Sequence, residues 1–371
     1  MKKLNIIDTD GKLYYVGGVV RDELLGIKSF DVDIVCVGDA IEYCSKFGRV
    51  IRKNPDFGTV RVEIEGEEVD FASTRSEIYP QAGHLPVVDE IGCPLKKDVL
   101  RRDFTINALA KSFKTGEIID YTGGLDDIKL KKLRILHDKS FIDDPTRIVR
   151  GLKFSVRFGF TLDKKTRRLQ EEYLQNVNYD MSYKRLKKEF SETFNLNSDV
   201  ALEKFYSEKI YKLLDKIEPQ KPITSIKSVI DFMKDKGCDF NALWLIYLGG
   251  FKIEVLEKLE LTREEMRIIR DFESIKNAKL TTDFKIHKVF SSLLPETLAI
   301  YAGFVGSAPV FKYISKLKDV KLSITGKDLK QLGLTPSGKF KTAFDEILKV
   351  KLKNPNLTHE EELDIAKRII G

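Results

Sequence analysis

Two aspartates, Asp31 and Asp33, open a short apolar run over residues 34–37 that predicts a β-strand. Side chains alternate along a strand, so residues spaced two apart project from the same face. Neighbouring carboxylates repel each other unless a cation lies between them, and Mg²⁺ prefers such oxygen ligands. The spacing therefore predicts that Asp31 and Asp33 hold Mg²⁺.

A glycine pair and an arginine come shortly before these aspartates, at Gly17, Gly18 and Arg21. Glycines let backbone N–H groups approach a phosphate closely, and an arginine supplies several donors in a fixed fork. A phosphate site beside a metal-binding carboxylate pair indicates nucleotidyl transfer.

A second polar cluster, Arg101, Arg102 and Asp103, opens the segment 101–110. Two adjacent arginines offer forked donors for phosphate and ribose oxygens. Asp103 can accept a hydrogen bond from a 2′-hydroxyl, which favours ribonucleotides. Taken alone, these residues are equally typical of a helix N-terminus with a salt bridge.

A third cluster follows Pro145, where apolar spacing predicts a helix over residues 146–158. If the helical spacing extends back to Asp144, then Asp144 and Arg147 are i, i+3 neighbours, which sets an acceptor beside a donor. Adenine and cytosine present an amino donor beside a ring-nitrogen acceptor, whereas uracil and guanine present the reverse order. The pair therefore complements A and C, although an acidic helix cap with a salt bridge is the simpler explanation.

Together these segments resemble the class II tRNA nucleotidyltransferase and bacterial poly(A) polymerase family. Its patterns GGxVRD followed by DxD, RRDFTxNAxA and EDxxR correspond to residues 17–22, 31–33, 101–110 and 143–147. The resemblance implies a set of nucleotide-binding residues: Gly17, Gly18, Arg21, Arg102, Asp103, Asn107, Asp144, Arg147, Arg150 and Lys153. It assigns Asp31 and Asp33 to Mg²⁺.

This sequence departs from the family pattern at two positions. Asp143 replaces the commoner glutamate, which shortens the side chain, and Lys153 replaces a frequent arginine. Lysine keeps the positive charge but loses the bidentate geometry of a guanidinium. The contact that the glutamate makes in the family is therefore not assigned to Asp143.

A third catalytic carboxylate is expected on a strand beside the aspartate pair, as a ligand or base in a two-metal site. Asp70 lies in the second strand of a predicted hairpin, formed by residues 59–64 and 68–71. Asp70 is therefore the predicted third carboxylate, with an ordinary surface aspartate as the alternative.

The overall pattern predicts an α+β protein. The resemblance implies a polymerase-beta-type nucleotidyltransferase head with a small mixed sheet, then an all-α neck, body and tail. We predict a head over residues 1–122, a neck with the nucleotide-selecting helix over 123–215, and a tRNA-binding body and tail over 216–371. Residues 74–98 predict a long irregular segment, since they contain three prolines and two glycines.

Composition limits the class of protein. The chain has 371 residues, of which 42% are hydrophobic and 33% charged, as in a soluble protein. No apolar run approaches membrane-spanning length and no secretory leader is visible, so a cytoplasmic location is expected. Four scattered cysteines fit a reducing compartment. Acidic and basic residues balance over residues 1–160, so the net charge of +7 arises from the second half.

That basic half indicates a polyanionic partner, or only a lysine-rich surface. With the family resemblance, the leading prediction is an enzyme that adds CCA to tRNA 3′ ends from CTP and ATP. It uses Mg²⁺, releases pyrophosphate, and engages neither DNA nor membrane. Segment 74–98 resembles split-activity relatives, so addition of A alone or of CC alone is the nearer alternative.

A poly(A) polymerase and a catalytically inactive RNA-binding protein are the more distant alternatives. No extended basic tail supports the former, and the full set of polar residues argues against the latter. His137 and Asp138 superficially resemble a metal-phosphohydrolase motif, but no second histidine-rich motif accompanies them, which indicates a structural histidine. The oligomeric state stays open.

Overall fold

The computed structural model describes residues 6–28, 32–333 and 338–370, so the predicted metal ligand Asp31 lies outside the described residues. The chain divides into two compact units. The first comprises residues 1–196 and 200–218, and the second comprises residues 197–199 and 219–371. The mixed sheet belongs to the first unit, whereas the second is helical.

Eleven strands lie in the described part of the first unit, and seven of them form one mixed sheet. The strands are β1 (Leu13–Val16), β2 (Ile34–Cys36), β3 (Arg49–Asn54), β4 (Thr59–Ile64), β5 (Glu67–Ser73), β6 (Arg75–Ile78), β7 (Val87–Ile91), β8 (Leu109–Ser112), β9 (Ile118–Asp120), β10 (Lys132–Leu133) and β11 (Thr161–Leu162). The seven-stranded sheet has the order β3-β4-β5-β2-β1-β8-β9.

The register of this sheet fixes where its polar residues emerge. Strand β1 pairs antiparallel with β2 and β8, whereas β2 runs parallel to β5 and aligns Ile34 with Phe71. Strands β4 and β5 form the predicted hairpin around Gly66, whose φ is +80°. A small mixed sheet followed by helices confirms the predicted fold class.

Nine helices of the described chain precede residue 210. They are α1 (Gly18–Leu24), α2 (Ala40–Cys44), α3 (Leu95–Leu100), α4 (Gly124–Lys129), α5 (Ser140–Asp143), α6 (Thr146–Phe158), α7 (Lys164–Gln175), α8 (Tyr183–Phe194) and α9 (Asp199–Ser207). Helix α6 has the predicted bounds and buries Ile148, Val149 and Leu152. It packs against α8 and ends at Gly159, which has a left-handed φ of +69°.

The prediction of an irregular segment over residues 74–98 was wrong. Strands β6 and β7 pair as an antiparallel hairpin, and α3 begins at Leu95. The hairpin is largely exposed, and polar pairs such as Ser76 with Asp89 connect its strands. Because little of it is buried, no alternation of apolar residues marked these strands in the sequence.

The second unit contains the remaining helices of the described chain. They are α10 (Ile226–Asp235), α11 (Leu243–Tyr247), α12 (Ile253–Glu257), α13 (Arg263–Ile275), α14 (Asp283–Phe290), α15 (Pro295–Phe304), α16 (Ser307–Lys312), α17 (Gly326–Gln331), α18 (Gly338–Lys353) and α19 (His359–Ile370). Helix α15 is buried along its length, and Thr262 with Glu265 forms a capping box at α13. No helix in the described ranges is both long and apolar enough to cross a bilayer.

Candidate active site

A cavity of about 990 Å³ lies in the first unit, beside β1, α6 and α8. It gathers residues from the three clusters that the sequence singled out. The predicted residues that line it are Gly17, Gly18, Arg21, Asp33, Arg102, Asp103, Asn107, Asp144, Arg147, Arg150 and Lys153. The fold therefore brings these positions together from distant parts of the chain.

Gly17 determines how closely two of these side chains approach. It has a left-handed φ of +73°, and its N–H donates to the carbonyl of Leu109 at 3.3 Å. A Cβ at this position would lie 2.6 Å from Nη1 of Arg102 and 3.7 Å from Oδ2 of Asp33. Only glycine therefore leaves room for the arginine beside the aspartate.

Arg102 presents a buried donor to the cavity. Its Nη2 donates to Asp98 at 3.1 Å, while its buried Nε has no hydrogen-bond partner among the described residues. Burial raises the pKa of Asp98, but Arg102 and Arg101 lower it more, so the net pKa is below its usual value. A buried donor without a partner carries a desolvation cost that a phosphate oxygen would relieve.

Arg21 is buried in the middle of helix α1. Its Nε and Nη2 donate to the neighbouring Asp22, and its Nη1 donates to Oδ1 of Asn107 at 2.5 Å. The guanidinium lies 4.6 Å from the ring centroid of Phe158. These contacts fix the orientation of the arginine, because few rotamers satisfy all of them.

Asp103 connects this region to helix α6. Its Oδ1 accepts from the N–H of Phe104 and from Nδ2 of Asn107, and its Oδ2 accepts from Nε of Arg150 at 2.7 Å. Burial raises the pKa of Asp103, but Arg150 together with the hydrogen bonds from Asn107 and Phe104 lowers it by more. The net pKa is therefore well below its usual value. The carboxylate stays ionised at neutral pH and retains one acceptor position for a ribose hydroxyl.

Glu189 on helix α8 joins the two cations of α6. It accepts from Nη1 of Arg150 at 3.0 Å and from Nζ of Lys153 at 2.8 Å. Lys153 also donates to Glu192. Because these contacts hold both cations against α8, Arg150 and Lys153 act first as links between the two helices.

Asp144 and Arg147 form a second cluster in the cavity lining, and both are buried. Oδ1 of Asp144 accepts from the N–H and hydroxyl of Thr146, and Oδ2 accepts from Nη2 of Arg185 at 2.5 Å. Nε of Arg147 lies 4.0 Å from Oδ2 of Asp144. The predicted acceptor and donor therefore lie side by side.

Arg147 is held by three elements at once. Its Nη1 donates to Ser140 at 2.6 Å, and its Nη2 lies 3.1 Å from the carbonyl of Arg101 and 3.3 Å from the hydroxyl of Tyr79. Burial raises the pKa of Tyr79, so its hydroxyl stays protonated. The guanidinium is thus preorganised by its surroundings.

Sequence analysis missed several residues of this site, namely Tyr79, Ser140, Arg185 and Glu189. Arg185 and Glu189 lie on the amphipathic helix α8, three and seven residues after Ser182, but their role depends on how α8 packs on α6. The sequence carried no signal for Tyr79, because it lies in the loop of the β6–β7 hairpin, which was not predicted.

Asp70 is not among the residues that line this cavity. It is exposed on β5, where both carboxylate oxygens accept from Arg61 at 2.7 Å. In the parallel register, Asp70 and Asp33 each come one residue before the aligned pair Phe71 and Ile34. Its role as a third carboxylate stays a prediction.

The described residues include no group of three or more side chains that would hold a metal ion. Asp33 supplies one carboxylate at the cavity, next to Gly17 and Arg102. A carboxylate is the hard oxygen donor that Mg²⁺ prefers, so the chemistry of Asp33 fits this ion.

Known proteins resemble the chain in its first third and, more distantly, over most of its length. The profile of the poly A polymerase head domain matches residues 13–134. A-adding tRNA nucleotidyltransferase from Aquifex aeolicus is 45% identical over 43% of this chain and 20% of its own length. The A-adding tRNA nucleotidyltransferase from Geobacter sulfurreducens is 30% identical over 96% of this chain and 45% of its own. The chain thus spans less than half the length of these two relatives.

Solved structures extend the likeness across the chain. The Thermotoga maritima CCA-adding enzyme complexed with tRNA is 25% identical, with a TM-score of 0.77 over 97% of this chain and 92% of its own. A CCA-adding enzyme in complex with CTP is 27% identical, with a TM-score of 0.76 over 95% and 90%. The chain is therefore similar, over nearly its whole length, to solved structures of CCA-adding enzymes.

Proposed function

We propose that this protein adds CCA to the 3′ ends of tRNA, using CTP and ATP without a nucleic-acid template. The observation that carries the proposal is the arrangement of one cavity. Asp33 and Arg102 form one cluster of its lining beside Gly17, and the adjacent Asp144 and Arg147 form another. A nucleoside triphosphate carries a matching pair of groups, phosphates for the first cluster and a base for the second.

Base selection follows from the order of acceptor and donor. The carboxylate of Asp144 accepts from the amino group of adenine or cytosine, while Arg147 donates to the adjacent ring nitrogen. Uracil and guanine would set carbonyl against carboxylate and N–H against guanidinium. Those polar groups would stay unpaired in a buried site, which selects strongly against UTP and GTP.

Phosphate binding rests on Arg102 and Arg21, with Gly17 and Gly18 allowing close backbone approach. Asp31 and Asp33 would hold Mg²⁺, with Asp70 assisting as a ligand or base. Bound Mg²⁺ lowers the pKa of the attacking hydroxyl and stabilises the leaving oxygen. The RNA 3′-hydroxyl attacks the α-phosphorus, the α–β phosphoanhydride bond breaks, and pyrophosphate leaves.

Asp103 would bind the ribose through its remaining acceptor position. The carboxylate already holds Arg150 and Asn107, so its orientation is fixed before the nucleotide arrives. A 2′-hydroxyl donor satisfies the last acceptor position, whereas a deoxyribose leaves it without a partner.

The positive charge of the second half of the chain supports a tRNA partner. Phosphates of the acceptor arm would bind its lysines and arginines by charge and shape. A cytoplasmic setting goes with this proposal, since tRNA and both triphosphates are cytoplasmic substrates.

Addition of the terminal AMP alone is the second candidate. It is favoured by the two relatives named A-adding, of which one aligns with 96% of this chain. Both candidates use the same base-reading pair, because adenine and cytosine present the same order of groups. The single conformation of the cavity therefore fits CCA addition and A addition equally well.

One set of extension reactions tests both candidates. The protein and Mg²⁺ are incubated with tRNAs that end before CCA, after C, or after CC, each with labelled CTP, ATP or both. The proposal predicts complete CCA on all three tRNAs. Extension of only the CC-ended tRNA by one AMP would establish A addition and overturn CCA addition.

The Asp33→Asn variant should be inactive with each tRNA, since it removes the described metal-binding carboxylate. Replacing Mg²⁺ with EDTA should have the same effect. If the wild-type protein extends no tRNA, the enzymatic proposal fails altogether.

A further inference from the structure

His137 contacts Arg147, the residue proposed to read the base, from behind the residues that line the cavity. Its Nε2 is 3.3 Å from Nη1 of Arg147, and its Nδ1 is 3.8 Å from Oδ2 of Asp143. The imidazole therefore stands between a carboxylate and the guanidinium assigned to the base.

The chemistry of these neighbours fixes the state of the imidazole. A guanidinium has only donors, so Nε2 accepts from Arg147 only when that nitrogen carries a lone pair. The proton of the neutral ring is then on Nδ1, toward Asp143. At 3.8 Å this carboxylate is beyond direct hydrogen-bond distance, but it still favours a proton on the near nitrogen.

The short side chain of Asp143 explains why a bridge is needed. Its carboxylate contacts His137, and no hydrogen bond or ion pair in the described chain joins it directly to Arg147. A glutamate would reach one methylene further. With the shorter aspartate, the imidazole of His137 lies between the carboxylate and the guanidinium.

We propose that His137 is a positioning residue for base selection, which in its neutral form accepts a hydrogen bond from Arg147 and transmits the charge of Asp143 to it. This inference rests on the proposed role of Arg147. Ser140 holds the same nitrogen from the other side at 2.6 Å, so the two acceptors together set the plane of the guanidinium.

Charged side chains near His137 belong to α5, α6 and the segment before α5. Arg147 faces it from α6, Asp143 from α5, and the adjacent Asp138 pairs with Lys165 of α7. Burial and Arg147 lower the pKa of His137, while Asp143 and Asp138 raise it less, so its pKa is below its usual value. The imidazole is therefore neutral at pH 7.

Protonation would reverse the polarity of this contact. An imidazolium sets an N–H against the guanidinium N–H, so the hydrogen bond is lost and two positive charges are adjacent. Below the pKa of His137, Arg147 should move and discrimination against UTP should fall. The effect on base selectivity distinguishes this role from general support of the fold.

The experiment measures nucleotide selection as a function of pH. Wild type, His137→Ala and His137→Gln are compared for ATP and UTP addition to a CC-ended tRNA between pH 5 and 8. We expect His137→Ala to reduce the ATP/UTP ratio of kcat/KM about tenfold, because Arg147 loses an orienting contact. In His137→Gln the side-chain amide oxygen replaces Nε2, so selectivity should be largely kept and its loss in acid should disappear.

A double variant tests the bridge directly. In His137→Ala/Asp143→Glu a longer carboxylate can extend into the space vacated by the imidazole, so the ATP/UTP ratio should return toward the wild-type value. His359→Gln, which removes an exposed histidine of α19, is the matched control and should keep the wild-type pH profile. Far-UV circular dichroism and melting temperatures check that each variant folds.

The outcomes separate this inference from the proposed function. Unchanged selectivity and an unchanged pH profile in a folded His137→Ala variant would overturn the role of His137 alone. If the wild type adds no nucleotide, calorimetric binding of ATP and UTP still measures base preference. Equal loss of both affinities in His137→Ala would then indicate a structural role and refute selective positioning.

Discussion

The proposed base-reading end of the cavity, at Asp144 and Arg147, differs from the proposed phosphate end, at Asp33 and Arg102, in how its polar groups are hydrogen-bonded. At the base-reading end, Asp144 and Arg147 are buried and already hydrogen-bonded to Thr146, Arg185 and Ser140. At the phosphate end, the buried Nε of Arg102 lacks a partner within the described residues. The polar groups at the first end are thus held in place by the protein, whereas one buried donor at the second end has no partner in the described part of the chain.

This difference corresponds to two physical requirements. Discrimination between bases needs fixed donors and acceptors, because a mobile pair would adapt to the wrong edge. Phosphate binding needs charge and donors but little shape selection, since all four nucleotides have the same triphosphate. Substitutions at the phosphate end should therefore slow the reaction with every nucleotide, whereas substitutions at the base-reading end should change which nucleotide is selected.

The largest effect is expected from Asp33→Asn at the phosphate end. Loss of the carboxylate charge should reduce kcat by about 10³-fold for ATP and CTP alike, because metal and transition-state stabilisation are lost together. Single-turnover extension measures this rate. Asp39→Asn is the matched control, since Asp39 is the N-cap of α2 and asparagine caps equally well. A base-dependent defect in Asp33→Asn would contradict the assignment of this end to phosphate.

Arg102→Ala should reduce kcat/KM by about 100-fold, equally for both nucleotides, because it removes a donor to the common triphosphate. Arg102→Lys keeps the charge without the fork and should recover only part of the activity. Steady-state kinetics with ATP, CTP and UTP measures both effects. A variant that selected bases differently from wild type would show that Arg102 reaches the base.

Asp144→Asn should change which base is accepted more than how fast the enzyme works. The amide offers a donor as well as an acceptor, so discrimination against UTP should fall by about 10- to 100-fold. Competition between ATP and UTP on one tRNA measures it. Arg185→Lys, which keeps a cation near Asp144, should alter selectivity less. Equal losses for every nucleotide in Asp144→Asn would remove the contrast between the two ends.

The contact that joins Asp103 to α6 should appear in stability. Asp103→Asn leaves Arg150 without its closest anion and should cost about 2–3 kcal/mol of unfolding free energy. The folded pKa of Asp103 is lowered, so its contribution is complete above the unfolded pKa of about 4 and is lost as pH falls below that value. Urea unfolding at pH 7 and in acid should therefore show the wild type and the variant converging at low pH.

The smallest structural effect is expected at Asp70 and Arg61, which form an exposed pair. Breaking it with Arg61→Gln should change stability by less than about 1 kcal/mol. Arg61→Gln leaves the Asp70 carboxylate in place and should keep full activity, whereas Asp70→Asn should lose activity if Asp70 is the third carboxylate. Identical, near-wild-type rates in the two variants would exclude Asp70 from catalysis.

Sequence reasoning succeeded where one residue pattern dominates. Helix α6 and strand β4 have the predicted bounds, because strict apolar spacing defines each of them. The exposed hairpin of β6 and β7 was not predicted, because cross-strand polar pairs rather than burial stabilise it. Glu189 was not predicted as a site residue for another reason. Its contacts with Arg150 and Lys153 exist only after α8 packs on α6.

The close approach of Arg102 to Gly17 limits recombination between related genes. The hydrogen atom at that α-carbon and the guanidinium of Arg102 occupy adjoining space, although the two codons are far apart in the gene. Recombination that exchanges the first strand between distant relatives must preserve this steric match. Natural or engineered chimaeras with a larger residue at position 17 would displace the arginine, however well each parental segment folds.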